Sequence, residues 1–211
     1  MNKTIEQYEK LEIISGQIMT RIVAKEGDAD FVCVKKVVIP KAITSDGFIL
    51  VADMPEEKLK MEPPVERITR VGDIIIKLST PFDSAIVTKE SEGCIVPSFC
   101  AIIRNNGALD IDYLRAFLAS KFCKEQLKAR VSGAVMSILS IGKIKSVEIP
   151  DLDECQQRDI GERYRNIQEK LQIMRQIISL ENKRNDILFQ ELSKWLKTVS
   201  TLIIFLVYIM H

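Results

Sequence analysis

Between Ile160 and Trp195 apolar side chains recur at alternating intervals of four and three. Ile160, Tyr164, Ile167, Leu171, Met174 and Ile178 come first, then the polar pair Glu181 and Asn185, then Leu188, Leu192 and Trp195. Nine of these eleven positions, spread over five heptads, are apolar, the pattern of a coiled-coil helix. The 36 residues would make a rod of roughly 54 Å. One domain cannot enclose such a helix, so its seam requires a partner helix; the other possibility is a long core helix folded back on its own domain. The polar step favours pairing. Glu181 and Asn185 would destabilise a simple core but can fix register between two helices. In an antiparallel pair of copies, residues before and after the middle of the rod face each other, and the polar layer need not meet itself.

The chain has 211 residues, room for one ordinary domain plus such an appendage. An apolar fraction of 46% with 28% charged residues excludes wholesale disorder. Thirty Lys and Arg against 29 Asp and Glu leave a net charge of +1, which excludes a globally basic coat but permits a local basic face. The one histidine, His211, is the last residue. It makes Ser-His-Asp, Cys-His and His-metal chemistry poor readings of this chain. Cys33, Cys94, Cys100, Cys123 and Cys155 include no C-x-x-C pair, so zinc-ribbon and thioredoxin-like readings fail. Most lie in apolar runs and read as small core residues. The polar start, Met1 to Glu12, has no signal-peptide character, and a reducing, cytoplasmic protein is expected. The apolar tail from Thr201 to Met210 is shorter than the roughly 20 residues of a membrane span. A strand or short helix packed on a neighbour is expected there, with no stable membrane span.

Local patterns give the rest. A short amphipathic helix is expected within Thr4 to Ile22, with a break at Ser15-Gly16. Phe31 to Ile39 reads as a strand ended by Pro40, forming a hairpin with Phe48 to Val51 across the Asp46-Gly47 turn. Asp53 to Thr69, with three prolines, reads as a loop-rich connection. After the Val71-Gly72-Asp73 turn, short strands are expected at Ile74 to Leu78, Ala85 to Thr88, Cys94 to Val96 and Phe99 to Arg104. A helix follows from Asp110, its N-cap, to Arg130, with Gly133 beyond its end. Val135 to Leu139 and Ile144 to Ile149 read as further strands. Short strands without a βαβ rhythm indicate an α+β fold: a small mixed domain over residues 1–154, a coiled-coil helix over 155–197 and an apolar tail over 198–211.

No Gly-x-x-x-x-Gly-Lys-Ser/Thr loop and no Gly-x-Gly after a strand is present, so neither a phosphate loop nor a dinucleotide fold has an anchor. Pro150-Asp151 with Glu181-Asn182-Lys183 meets only the letters of a metal-nuclease motif, because the latter residues lie on the rod. No catalytic and no metal-ligating residue is assigned. What remains is a compact domain with polar, partly basic loops on a dimerising rod, a layout suited to a reader that holds something at a fixed distance. DNA is one candidate, since Lys and Arg can position on phosphates while polar side chains read base edges. Three loop clusters qualify: Lys35, Lys36, Lys41, Thr44 and Ser45; Lys77, Ser79 and Thr80; and Arg104, Asn105 and Asn106. The alternative is a coiled-coil adaptor that binds protein only.

The segment Val71-Gly72-Asp73-Ile74-Ile75-Ile76-Lys77-Leu78-Ser79 resembles the "Gly-Asp-Ile-Leu-Ile" stretch of type I restriction–modification specificity subunits. Val96 to Arg104, then Asp112-Tyr113-Leu114 and Phe117 to Ser120, resemble that family's next strand and helix. Gly133 to Ser140, Val147-Glu148-Ile149-Pro150 and Gln156 to Ile160 resemble its domain end and the start of its long helix. The resemblance implies a target recognition domain and a spacer helix, where the family usually carries two such units in tandem with antiparallel helices. It further implies no catalysis in this chain, and docking to a methyltransferase subunit that uses S-adenosylmethionine and to a restriction–translocase subunit. Two copies of a one-unit chain, paired antiparallel through residues 157–196, would read inverted half-sites of double-stranded DNA. A rod of roughly 54 Å would cap their spacing near 16 base pairs.

Overall fold

In the computed structural model, residues 2–24, 31–131 and 138–209 are described, the last nine as backbone only. The chain divides into two units, Met1–Asn166 and Ile167–His211. In the first, strands β1 (Asn2–Thr4), β2 (Leu11–Ser15), β3 (Cys33–Lys36), β4 (Glu56–Leu59), β5 (Ile74–Lys77), β6 (Ser84–Ile86), β7 (Cys100–Asn105) and β8 (Glu148–Pro150) accompany helices α1 (Ile111–Ala119), α2 (Lys121–Val131) and α3 (Ile141–Lys145). Helix α4 (Glu154–Ile209) begins there and supplies the second unit. The fold is mixed α+β with short strands and a long C-terminal helix, as the sequence predicts.

The main sheet is antiparallel, in the order β2-β7-β5-β6. Its central strands are apolar on both faces because both faces are covered. Period-two alternation sends Ile74, Ile76, Ala101 and Ile103 to a core shared with Tyr113, Leu114, Phe117 and Leu118 of α1 and with Leu127 of α2. Ile75, Ile102 and Cys100 go to the other face, against Val38, Ile43, Met54 and Val96 from irregular segments. Where β2 ends, Gly16 lies against the 97–100 backbone. A Cβ there would overlap the Pro97 carbonyl and stand 2.8 Å from that of Cys100.

Several local expectations give way to pairings distant in sequence. Residues 4–22 form no α-helix. Leu11 and Ile13 point inward while Glu12 is exposed, because β7 offers a ladder from Leu11↔Asn105 to Ser15↔Ala101. Strand β3 pairs not with Phe48 to Val51 but with β4, inside the expected loop. Their register sets Lys35 opposite Glu57 and Lys36 opposite Glu56, a favourable arrangement of cross-strand charges. The Asp46-Gly47 turn does form, with Gly47 at φ 84°, but only as a tight loop closed by Thr44 and Phe48. Cys94 to Val96 contributes bridges at Ile95 rather than a strand.

The helix beginning at Asp110 is interrupted at Ser120, whose ψ of 150° is extended. The Ser120 hydroxyl accepts from the Cys123 N–H at 3.1 Å, capping α2 as α1 ends. Ile144 to Ile149 divides between α3 and β8, and β8 pairs with β1. Gly133, and residues 135–137 of the expected strand, lie outside the described residues; Leu139 is not in a strand but donates to the Leu78 carbonyl. The tail is neither a strand nor a separate short helix: α4 runs on through it to Ile209. No helix among the described residues is long and apolar enough to cross a membrane.

Candidate nucleic-acid interface

The sequence-derived loop clusters do not converge on one patch. Lys77 is opposite Cys100 at one end of the β5–β7 ladder, while Ile74 is opposite Ile103 at the other, next to Arg104. Arg104 itself is buried at 6% exposure. Its Nε donates to Asp73 Oδ1 at 2.9 Å and its Nη2 to Oδ2 at 2.7 Å, the fork geometry suited to guanidinium and carboxylate. The bond to Asp73 also raises the Arg104 pKa above its ordinary value. Asn105 stitches the following turn: its amide donates to the Leu109 carbonyl, and its side-chain oxygen accepts from Ala108 and Leu109 N–H groups. Asn106 is exposed and donates to Glu12. The Thr44 hydroxyl closes its own loop on Phe48.

Other candidates face solvent. Lys41, Ser45, Ser79 and Thr80 are exposed, while Lys35 and Lys36 are half-buried beside a hollow also lined by Glu56, Glu90 and Glu92. Lys77 is held inward: its ammonium is 3.0 Å from Asp83 Oδ2, and Lys124 Nζ is 2.9 Å from Asp83 Oδ1. Burial raises the Asp83 pKa, but hydrogen bonds from Lys124 and Lys77, with their charges, outweigh it and hold the carboxyl below its ordinary value. The sequence alone does not single out Asp83 or Lys124. The available signal was the lysine spacing Lys121, Lys124, Lys128 along one face of α2.

The first turns of α4 are fastened to α1 within the first unit. The Asp110 carboxylate accepts from the N–H groups of Asp112 and Tyr113, capping α1. The Asp110 N–H in turn donates to Gln157 of α4 at 2.9 Å. Asp112, buried, accepts from Arg115 at 2.6 Å and from Arg165 of α4 at 2.7 Å. Arg115 lies over the Tyr164 ring, 5.5 Å from its centroid, a cation–π contact. Gly161 makes this close approach possible, since a Cβ there would press on the Asp110 carboxylate and stand 3.0 Å from Tyr113 N. Tyr164 is thus half-buried within the first unit, whereas Ile160 is partly exposed at 38%.

In the second unit the seam is open. Ile167, Met174, Ile178, Leu188, Leu192 and Trp195 are all exposed, Trp195 at 62%, and Leu171 is half-buried. Cys94, Cys100 and Cys123 are buried, and burial pushes the thiols of Cys100 and Cys123 up to about 12. They are packing residues, neutral at physiological pH. Among the described residues no group of three or more His, Cys, Asp or Glu could hold a metal ion.

No protein-family model and no curated protein sequence matches the chain. Solved structures do. The HsdS subunit from Thermoanaerobacter tengcongensis superposes at TM-score 0.55 with 19% identity, over 85% of this chain and 47% of that one. A chain from a structural study of complex assembly and conformational transition in the type I R-M system gives TM-score 0.55, 20% identity and coverages of 85% and 47%. The type I restriction–modification S subunit from M. genitalium gives TM-score 0.55 and 13% identity over 87% of this chain and 42% of that one. The likeness is one of fold, and the chain spans about half the length of each of these structures.

Proposed function

We propose that the chain is a non-catalytic DNA-specificity unit of a type I restriction–modification methyltransferase complex, each copy reading one half of a bipartite site. The observation that carries this reading is the fold: most of the chain superposes on about half of an S subunit. In this reading residues 1–154 are the target recognition domain, residues 155–197 the spacer and dimerisation helix, and the tail has no assigned role. Two copies pair antiparallel through the exposed seam of α4, and that exposure supports the pairing. The partners are double-stranded DNA and a methyltransferase subunit that supplies S-adenosylmethionine, with a restriction–translocase subunit joining them. A cytoplasmic location follows from that role.

Lys35, Lys36, Lys41, Ser45, Ser79 and Thr80 are the proposed surface contacts to DNA, with Thr44 holding its loop and Lys77 acting from half-buried ground. Arg104, with Nε and Nη2 held by Asp73, and Asn105, with its side-chain amide bonded to the following turn, shape the end of β7 in this reading rather than touch bases. Selection from a random duplex pool, with a type I methyltransferase subunit present, should enrich inverted half-sites at one constant spacing. Capture of protein without any DNA enrichment would instead indicate an adaptor. Binding of S-adenosylmethionine by the isolated chain would contradict the non-catalytic assignment.

A further inference from the structure

We infer that Lys77, Asp83 and Lys124 form a seat for one backbone phosphate of duplex DNA. This rests on the DNA-reading function proposed above, and adds to it Lys124 of α2 and a role in positioning rather than in base recognition. The stoichiometry is the first observation. One carboxylate, with its side chain 5% exposed, serves two ammonium groups, one on each oxygen, at 3.0 and 2.9 Å. No second carboxylate is paired with either lysine among the described residues. The cluster therefore carries one uncompensated positive charge. The two lysine side chains are only partly solvated, at 15% and 27% exposure, so an arriving anion would restore part of what desolvation costs their charges. Each ammonium has three N–H donors and commits one to Asp83, leaving two for a ligand.

The surroundings suit a phosphodiester. Lys77 and Asp83 close the β5–β6 turn, with Lys77 N–H donating to the Asp83 carbonyl at 2.9 Å and Phe82 N–H to the Ser79 carbonyl at 2.9 Å. Phe82 is buried beneath it. The tip is left with exposed Ser79 and Thr80, two hydroxyls of the kind that supplement cationic contacts to DNA phosphates. Lys124 reaches the same carboxylate from a separate element, so the two cations are held at a fixed separation before any ligand arrives. Prior placement of this kind reduces the ordering that binding must otherwise impose.

The test uses the full chain and a fluorescent duplex of random sequence, with anisotropy read across a salt series. Lys124→Gln should lower the slope of log K against log salt by about one and weaken binding roughly fivefold near 0.1 M salt. Lys124→Arg should restore both. A thermal melt of each variant shows whether its fold persists; should Lys124→Gln unfold, Lys124→Met, which keeps the apolar stem and removes the charge, gives the same reading. If the unaltered chain binds and a folded Lys124→Gln or Lys124→Met keeps its slope and affinity, the cluster is an internal brace and the inference is overturned, while the functional reading stands. If the unaltered chain shows no salt-dependent duplex binding, both fall.

Discussion

Ile74, Ile75 and Ile76 on β5 are at most 1% exposed, whereas Ile173, Ile177 and Ile178 on α4 are all more than half exposed. The same side chain meets opposite fates because its neighbours differ. Strand β5 lies between β7 and β6 with α1 on one face and the 38–54 segment on the other, so the chain itself supplies every contact. Burying one isoleucine contributes roughly 1.5–3 kcal/mol; the first unit obtains this internally, at any protein concentration. In the second unit these side chains are exposed; in the proposed antiparallel pair a second copy covers them, and the ordering of that unit should then depend on concentration.

Substitutions on the two sides of this contrast should separate cleanly. Ile75→Ala should cost about 4 kcal/mol of first-unit stability, read by chemical denaturation, by removing a buried side chain that the sheet cannot close over. Self-association, read by light scattering, should be unchanged. Ile178→Asp should do the reverse, weakening self-association about a hundredfold, or about 2.7 kcal/mol, while leaving first-unit unfolding in place. Gly161→Ala acts at the fastening between α1 and α4. The new methyl group must displace the Asp110 cap, at roughly 1–2 kcal/mol, and should also blur the preferred half-site spacing.

The smallest effect is one of pH. Asp83 is held below its ordinary value of 3.8, so the unfolded chain takes up the proton first as pH falls. First-unit stability should then be fully present above about pH 4 and decline as pH drops through the folded-state value. Asp83→Asn should flatten that acid limb in thermal melts between about pH 4 and 2.

Features set by neighbours in sequence were legible. The four-three stepping marks α4, Asp110 marks the start of α1, and the Gly72 turn, at φ 88°, marks the way into β5. Features set by distant partners were not. Residues 11–15 become a strand because β7, some 90 residues on, offers an edge, and β1 depends on β8. The candidate interface suffers most from this. Arg104 reads as a surface arginine until Asp73, 31 residues away, is seen to close on it. Lys124 reads as an ordinary helical lysine until Asp83 is brought beside it.

Cys155, in the first turn of α4, is exposed, while Cys33 is half-buried and the other cysteines are buried. In a Cys33→Ser background it can carry a single spin label per chain, with pulsed dipolar spectroscopy reporting the distance between copies. An antiparallel pair centred on the middle of the seam, near residue 178, puts the two labels about 68 Å apart at 1.5 Å per residue. That distance is the expected result. A separation below about 20 Å, as in a parallel pair, or no dipolar signal at all, as in a lone chain, would contradict the account.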